Sequence, residues 1–188
     1  MLRDLDFALD AGRCLSVTGP NGAGKSSLLR SLAGLLPLES GTVHWRGADT
    51  RLDTFGFHAE LAWLGHGTAL KADLTARENL LYSAGLRRAL DQGAIDAALA
   101  AVGYVRTDEP LARQMSAGQQ RRVALARVLL LPATLWLLDE PTSNLDESGQ
   151  AMFGRMLLAH LEWGGLAVVA THQPLRLPGD RVQRLELS

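Results

Sequence analysis

Gly19-Pro-Asn-Gly-Ala-Gly-Lys-Ser26 is the stretch whose reading decides the fold, for it meets the pattern G-x-x-x-x-G-K-[ST] at every fixed position. Gly19, Gly22 and Gly24, with Pro20, Asn21 and Ala23 between them, let the backbone turn where a Cβ would clash, so that N–H groups can converge on an anion. Lys25 supplies a compact positive charge for the outer phosphates, and the Ser26 hydroxyl, followed by Ser27, can hold a magnesium ion. The context supports the motif. Leu15–Thr18 reads as a strand entering the loop, and residues 26–34 read as a helix leaving it, with Leu28, Leu29 and Leu32 on one face and Gly34 at its end. A helix that starts there points its positive dipole end at the phosphates. This strand–loop–helix frame sets the stretch apart from a glycine-rich turn that happens to hold a lysine, and predicts binding of a nucleoside triphosphate with Mg2+.

Outward from the loop, further strands are expected at Leu5–Leu9, at the edge near 39–47, at Leu61–Leu64, Leu135–Leu138, Leu166–Ala170 and Val182–Leu187. Residues 48–60 carry no clear period. From 67 to 115 the pattern is helical. Thr75-Ala-Arg-Glu78 forms a capping box for a helix with Leu80, Leu81 and Ala84 inside, and a second helix spans about Ala94–Val102. Ser116 opens another helix that Pro132 ends, and Asp146 caps one that runs to about Trp163. The expected architecture is α/β: a P-loop core of residues 1–66 and 116–188 with a largely parallel sheet and a short antiparallel element, and a helical subdomain, 67–115, inserted in it.

Composition narrows the classes. The chain has 188 residues, 47% of them hydrophobic, which suits one core. A formal net charge of −1 leaves no basic footprint for nucleic acid, so no direct nucleic-acid partner is expected. Cys14 is the only cysteine, which excludes an internal disulfide and suits a reducing compartment; its place beside the first strand suits a core filler better than a nucleophile. The apolar stretch Val123–Leu138 is broken by Arg127 and Pro132 and falls short of the ~20 residues a membrane helix needs. The first residues, Met1 to Asp6, lack the layout of a signal peptide, so work at a membrane would need a partner that holds the chain there.

The strand ending at Asp139 supplies a carboxylate for Mg2+ through its water shell, and Glu140 stands next to it as a candidate general base. His172, at another strand end, can reach the transferred phosphate. Taken singly, the carboxylates could be a solvated strand end and the histidine a polar loop residue; their order behind a full phosphate loop favours chemistry. At Met115-Ser-Ala-Gly-Gln-Gln-Arg-Arg122 the chain closely resembles the signature sequence of ATP-binding cassette (ABC) proteins. Together with Gly19–Ser26, Leu135–Glu140, Ser143–Asp146 and His172, that resemblance covers almost the whole chain in the family's order. It implies a head-to-tail dimer of two copies with ATP held between the phosphate loop of one and Ser116, Ala117, Gly118 and Gln119 of the other. The local reading of those four residues, a helix cap with Gln119 reaching back, is compatible with that role.

Trp63–His66, Lys71–Leu80, Ser116–Arg127 and Thr171-His-Gln-Pro174 resemble one branch, the ATPase subunits of bacterial cytochrome c maturation systems (haem-exporter ATP-binding proteins). That resemblance implies a peripheral ATPase on the cytoplasmic face of the inner membrane, docked on integral membrane subunits, whose hydrolysis powers haem export or frees a haem-loaded chaperone. Two departures stand out. His66 occupies the place, eight residues before Leu74, where most cassettes have a glutamine linking the magnesium site to the membrane partner. It is a candidate Mg2+-water contact or a structural loop residue. Only 18 residues precede Gly19, whereas cassettes carry an adenine-stacking residue on a strand well before the loop, so a first strand is expected to be missing from the start. The histidines (44, 58, 66, 160, 172) share no helical face, and direct haem binding is not expected.

Other readings differ in class. An ABC ATPase serving another substrate would share all the chemistry. A soluble nucleic-acid-linked cassette lacks its basic patch here, a small-molecule kinase has no use for Ser116–Gln119, and a scaffold that only binds ATP does not need Glu140 and His172.

Overall fold

Four short apolar runs build the centre of the molecule because each can be buried on both faces. The computed structural model describes residues 5–87 and 89–188. β1 (Cys14–Thr18), β4 (Leu61–Leu64), β5 (Leu135–Asp139), β6 (Leu166–Ala170) and β7 (Val182–Glu186) form one sheet in the order β4-β5-β6-β1-β7. Every neighbouring pair is parallel. Parallel neighbours need crossovers, and the helices that supply them cover both faces, which explains why β5 is buried along its whole length.

The period of two sorts these strands into two cores. Ala62, Leu64, Trp136, Leu138, Ala167 and Val169 face one side, where they meet α5 (Ala117–Leu130) and α6 (Glu147–Glu162). Leu61, Leu135, Leu137, Val168, Leu15 and Val17 face the other, against α1 (Lys25–Leu32) and Phe57 of α2 (Thr54–Ala59). α3 (Ala76–Gly85) and α4 (Gln92–Ala101) pack on α5 and share the first of these cores. The described residues from 67 to 115 contain no strand. No helix among the described residues is long and apolar enough to cross a membrane.

Helix ends follow their side chains. Thr75 and Glu78 close a reciprocal capping box on α3, Asp91 accepts from the Ala94 N–H at α4, and Asp146 accepts from the Gly149 N–H at α6. Gly34 and Gly164 take positive φ just beyond α1 and α6.

Four expectations are corrected. Leu5–Leu9 forms no strand and pairs with none among the described residues, and Phe7 and Leu9 lie against the second core instead. The edge strand near 39–47 is β2 (His44–Trp45), which pairs antiparallel with β3 (Ala48–Asp49) in a separate hairpin and not with the main sheet. Residues 48–60 contain that strand and α2, which Asp53 caps through the Gly56 N–H. Leu81 is 52% exposed, because the buried stripe of α3 runs through Ala76, Leu80 and Ala84 at four-residue steps and Leu81 lies one step round. The reading of residues 1–4 as part of a terminus without a signal sequence falls outside the described residues.

Candidate active site

The parallel sheet sets the site by register. Val17 pairs with Ala170, Asp139 with Ala170, and Leu64 with Leu138, so the loops after β1, β4, β5 and β6 all leave from the same carboxyl edge. Those loops carry Gly19, His66, Glu140 and His172 in turn.

The phosphate loop is held by its own backbone. Gly19, Gly22 and Gly24 all have positive φ, and a Cβ on Gly19 would stand 2.3 Å from the Leu187 carbonyl oxygen. Ala23 donates to the Pro20 carbonyl, and α1 begins at Lys25 directly after Gly24, with the Leu28 N–H donating to the Gly24 carbonyl. Pro20 and Asn21 are exposed on the loop's outer side, whereas Ser26 and Ser27 are half-buried in the first turn of α1. Lys25 is only 8% exposed; its Nζ donates to the carbonyls of Gly19 (2.7 Å) and Pro20 (3.0 Å) and so bridges the loop. A buried ammonium in the first turn of a helix, behind a loop of left-handed glycines, suits a highly charged anion.

Opposite it, β5 delivers two carboxylates of different character. Asp139 is 2% exposed and its Oδ2 has no hydrogen-bond partner among the described residues. A buried carboxylate oxygen without a partner is costly unless it meets a cation or a cation's water shell, so the chemistry of Asp139 fits Mg2+, which Asp139 and Ser26 would hold. Glu140 departs from the strand at φ 49°, a left-handed conformation that costs a non-glycine residue about 1–3 kcal/mol. Its N–H still donates to the Ala170 carbonyl, and the turn aims its carboxylate sideways to accept from His172 Nδ1 at 2.9 Å. The Glu140 side chain is 14% exposed and that of His172 61%. With Nδ1 donating, the imidazole presents its Nε2 outward. Thr171 is buried behind this pair; its Oγ1 accepts from the Gln173 N–H, and Thr142 Oγ1 donates to Gln173 Oε1.

Ser116–Gln119 starts α5. The Ser116 Oγ accepts from the Gln119 N–H, and Gln119 Oε1 accepts from the Ser116 N–H. Ser116 and Ala117 are exposed, and Gly118 lies so near the Asn144 carbonyl that a Cβ would approach it to 2.8 Å. These hydrogen bonds are local, so they do not tie the stretch to the chain's own phosphate loop. His66 is exposed in the loop after β4, where its carbonyl accepts from Arg121.

Arg121 is the residue that motif reading passes over. It is 1% exposed, and burial pulls its pKa down to about 10, against the neighbouring charges of Asp139 and Glu140. The only signal in the sequence is spacing, since Arg121, Leu125 and Val128 share one helix face. Two further arginines of α5 brace the surroundings: Arg122 donates to the Val102 carbonyl and to Asp146 Oδ1, and Arg127 to the Thr68 carbonyl.

Known proteins resemble this chain in sequence and in fold. The family model described as ABC transporter matches residues 2–143, and the chain belongs to that ATP-hydrolysing family. Within it, the chain is 44% identical over its full length to the "Cytochrome c biogenesis ATP-binding export protein CcmA 1" of Salmonella typhimurium, covering 90% of that protein. It is 42% identical, again over its full length, to the CcmA protein of Yersinia pestis, covering 86% of it. Among solved structures, a dimeric bacterial ABC transporter cassette superposes with a TM-score of 0.82 at 24% identity, over 98% of this chain and 86% of that one. A putative ABC transporter ATP-binding protein from Pyrococcus furiosus does so at 0.81 and 24%, over 94% and 86%. These two share the fold.

Proposed function

We propose that this chain is the ATP-hydrolysing subunit of a membrane complex for cytochrome c maturation, acting as a head-to-tail pair and powering haem export or the release of a haem-loaded chaperone. The observation that carries the catalytic part is the Glu140–His172 pair beside the buried Asp139 carboxylate, whose Oδ2 has no partner among the described residues. The cytochrome c part rests on the full-length similarity to CcmA proteins.

In this reading the phosphate loop, Gly19 to Ser27, binds the triphosphate and Lys25 neutralises its outer charge. Ser26 and Asp139 would hold Mg2+, whose charge offsets that developing on the outer phosphates, with His66 as a further contact through water. Glu140 takes the proton from a water that attacks the γ-phosphorus, and ADP leaves with the bridging oxygen. His172, oriented through its Nδ1 by the same carboxylate, turns Nε2 to the γ-phosphate. Ser116–Gln119 of the second copy closes over the nucleotide; loss of the γ-phosphate removes the shared charge and reopens the pair. Residues 67–115, as a helical subdomain beside the 1–66 and 116–188 core, carry that motion to integral membrane subunits at the cytoplasmic face. Two of the three histidines away from the site are engaged elsewhere: the His58 ring bonds the Ala33 carbonyl, and the His160 ring stacks on Trp136 and bonds the Leu166 carbonyl.

Mild affinity purification from membranes, with the co-purifying proteins identified and ATPase compared with that of Glu140→Gln, tests the proposal. Cytochrome c maturation membrane subunits, together with an inactive variant, are the expected result. An unrelated permease would leave the ATPase and discard the haem pathway, and nucleic acid or ribosomes in place of membrane proteins would overturn the membrane role.

A further inference from the structure

One buried guanidinium touches the backbone of two of the four loops at the carboxyl edge of the sheet, those after β4 and β5. Arg121 Nε donates to the Pro141 carbonyl at 3.1 Å, Nη2 donates to the carbonyls of Asp139 (2.7 Å) and Glu140, and Nη1 donates to those of Gly65 (3.2 Å) and His66 (3.3 Å). Three consecutive carbonyls, from the last residue of β5 onward, thus converge on a single planar group, and two more arrive from the loop after β4. Arg121 has no contact with the phosphate loop or with the Glu140 carboxylate among its hydrogen bonds; every acceptor is main chain.

The geometry points to Arg121 as a positioning residue for hydrolysis: it fixes the peptide planes that aim the Asp139 and Glu140 carboxylates, and it locks the His66 loop to that turn. This rests on the proposed roles of Asp139 and Glu140. The physical ground is that three successive carbonyls can face one point only if the chain leaves the strand geometry, and Glu140 does so at φ 49°. An apolar side chain of equal length would take the guanidinium from the carbonyls of Asp139, Pro141, Gly65 and His66 and leave that of Glu140 with only the Ser143 N–H, and the turn would relax toward its ordinary conformation, swinging the Glu140 carboxylate away from His172. A lysine keeps the charge but offers three donors from one point, which cannot span two loops as a fork does. The fork also makes the two loops move together: a displacement of residues 65–66 pulls on the guanidinium that holds the Glu140 carbonyl.

The test compares Arg121→Lys and Arg121→Gln with the parent and with Glu140→Gln, all in the membrane-purified complex. Nucleotide sites are counted by Mg-ATP binding so that kcat is expressed per folded site. The expected result is a fall in kcat of about 10-fold for the lysine and ~100-fold for the glutamine variant, with KM and the Mg-ATP Kd changed by no more than about twofold, as befits misplacement of a base by a fraction of an ångström. A purely structural arginine would lower the number of folded sites and leave kcat per site unchanged, and that result overturns the inference. So does a change confined to KM. If Arg121→Gln does not fold, Arg121→Lys decides by the same two readouts. Should Glu140→Gln keep its activity, the underlying reading of the carboxylates fails, whatever the arginine variants do.

Discussion

The phosphate loop and the start of α5 each present a helix N-terminus, but they are finished in different ways. At the loop, the chain supplies everything itself: left-handed glycines, a Leu187 carbonyl against Gly19, and a buried lysine laced to the loop's own carbonyls. At Ser116–Gln119 the chain supplies only a cap, whose hydrogen bonds stay within one turn, and leaves Ser116 and Ala117 exposed. A region completed by its own chain should resist change in the monomer. One that is left open should show its role only when a second copy arrives. The difference teaches where to look for each kind of defect: in binding and stability at the loop, in assembly and turnover at α5.

The largest effect tests the chemistry that lies between the two. Glu140→Gln keeps the shape of the turn and a hydrogen-bonding side chain but removes the base, so ATPase should fall by about 10²–10⁴-fold with Mg-ATP binding retained. The same variant should accumulate as an ATP-bound dimer on size-exclusion chromatography. A dimer that fails to accumulate would break the idea that the γ-phosphate bridges two copies. Gly118→Ala comes next. Its new Cβ would press on the Asn144 carbonyl, so turnover and ATP-driven dimerisation should drop by about 10–100-fold, as expected for misplaced contacts, whereas monomer affinity for Mg-ATP stays. Equal loss of monomer affinity would erase the contrast. At the loop the pattern should invert: Gly19→Ala, pushed into Leu187 at φ 142°, should lose about 1–3 kcal/mol of stability by urea titration and weaken nucleotide binding in the monomer itself.

The same contrast runs through what sequence could foretell. The phosphate loop, the Asp139-Glu140 strand end and His172 could be proposed from sequence because the chemistry proposed for them demands particular residue types at particular places, and the structure brings Glu140 and His172 together. The central strands were legible because continuous burial leaves an apolar run, as in Leu135–Leu138. α2 was hidden, being six residues long with a single buried side chain, Phe57, and so without a period to detect. Leu5–Leu9 alternates like a strand, but a strand needs a neighbour, and alternation says nothing about one. Arg121 was hidden for another reason: its partners are main-chain carbonyls up to 56 residues away, and a carbonyl leaves no mark in residue type. A charge on a helix also carries the opposite expectation, that of a solvated face.

Two thiols give the gentlest probe of the comparison, one in each region. Cys14 opens β1, the strand that runs into the phosphate loop, and is fully buried; burial pushes its pKa up to about 12 from an ordinary value near 9. The thiolate is the reactive form, so native Cys14 should resist a disulfide reagent at neutral pH with or without Mg-ATP, and react once the chain is unfolded. The sign of the linked stability follows. Because the folded pKa is raised, the contribution is fully present below pH 9 and is lost as pH climbs toward 12, where the unfolded chain releases the proton first. Ala117→Cys in a Cys14→Ala background should behave oppositely, reacting quickly in the monomer and becoming shielded when Mg-ATP closes the Glu140→Gln dimer. Rapid labelling of Cys14 in the native monomer would mean that β1 opens and the loop is not preformed. Unchanged labelling of Ala117→Cys in the closed dimer would mean that the second copy does not cover the start of α5.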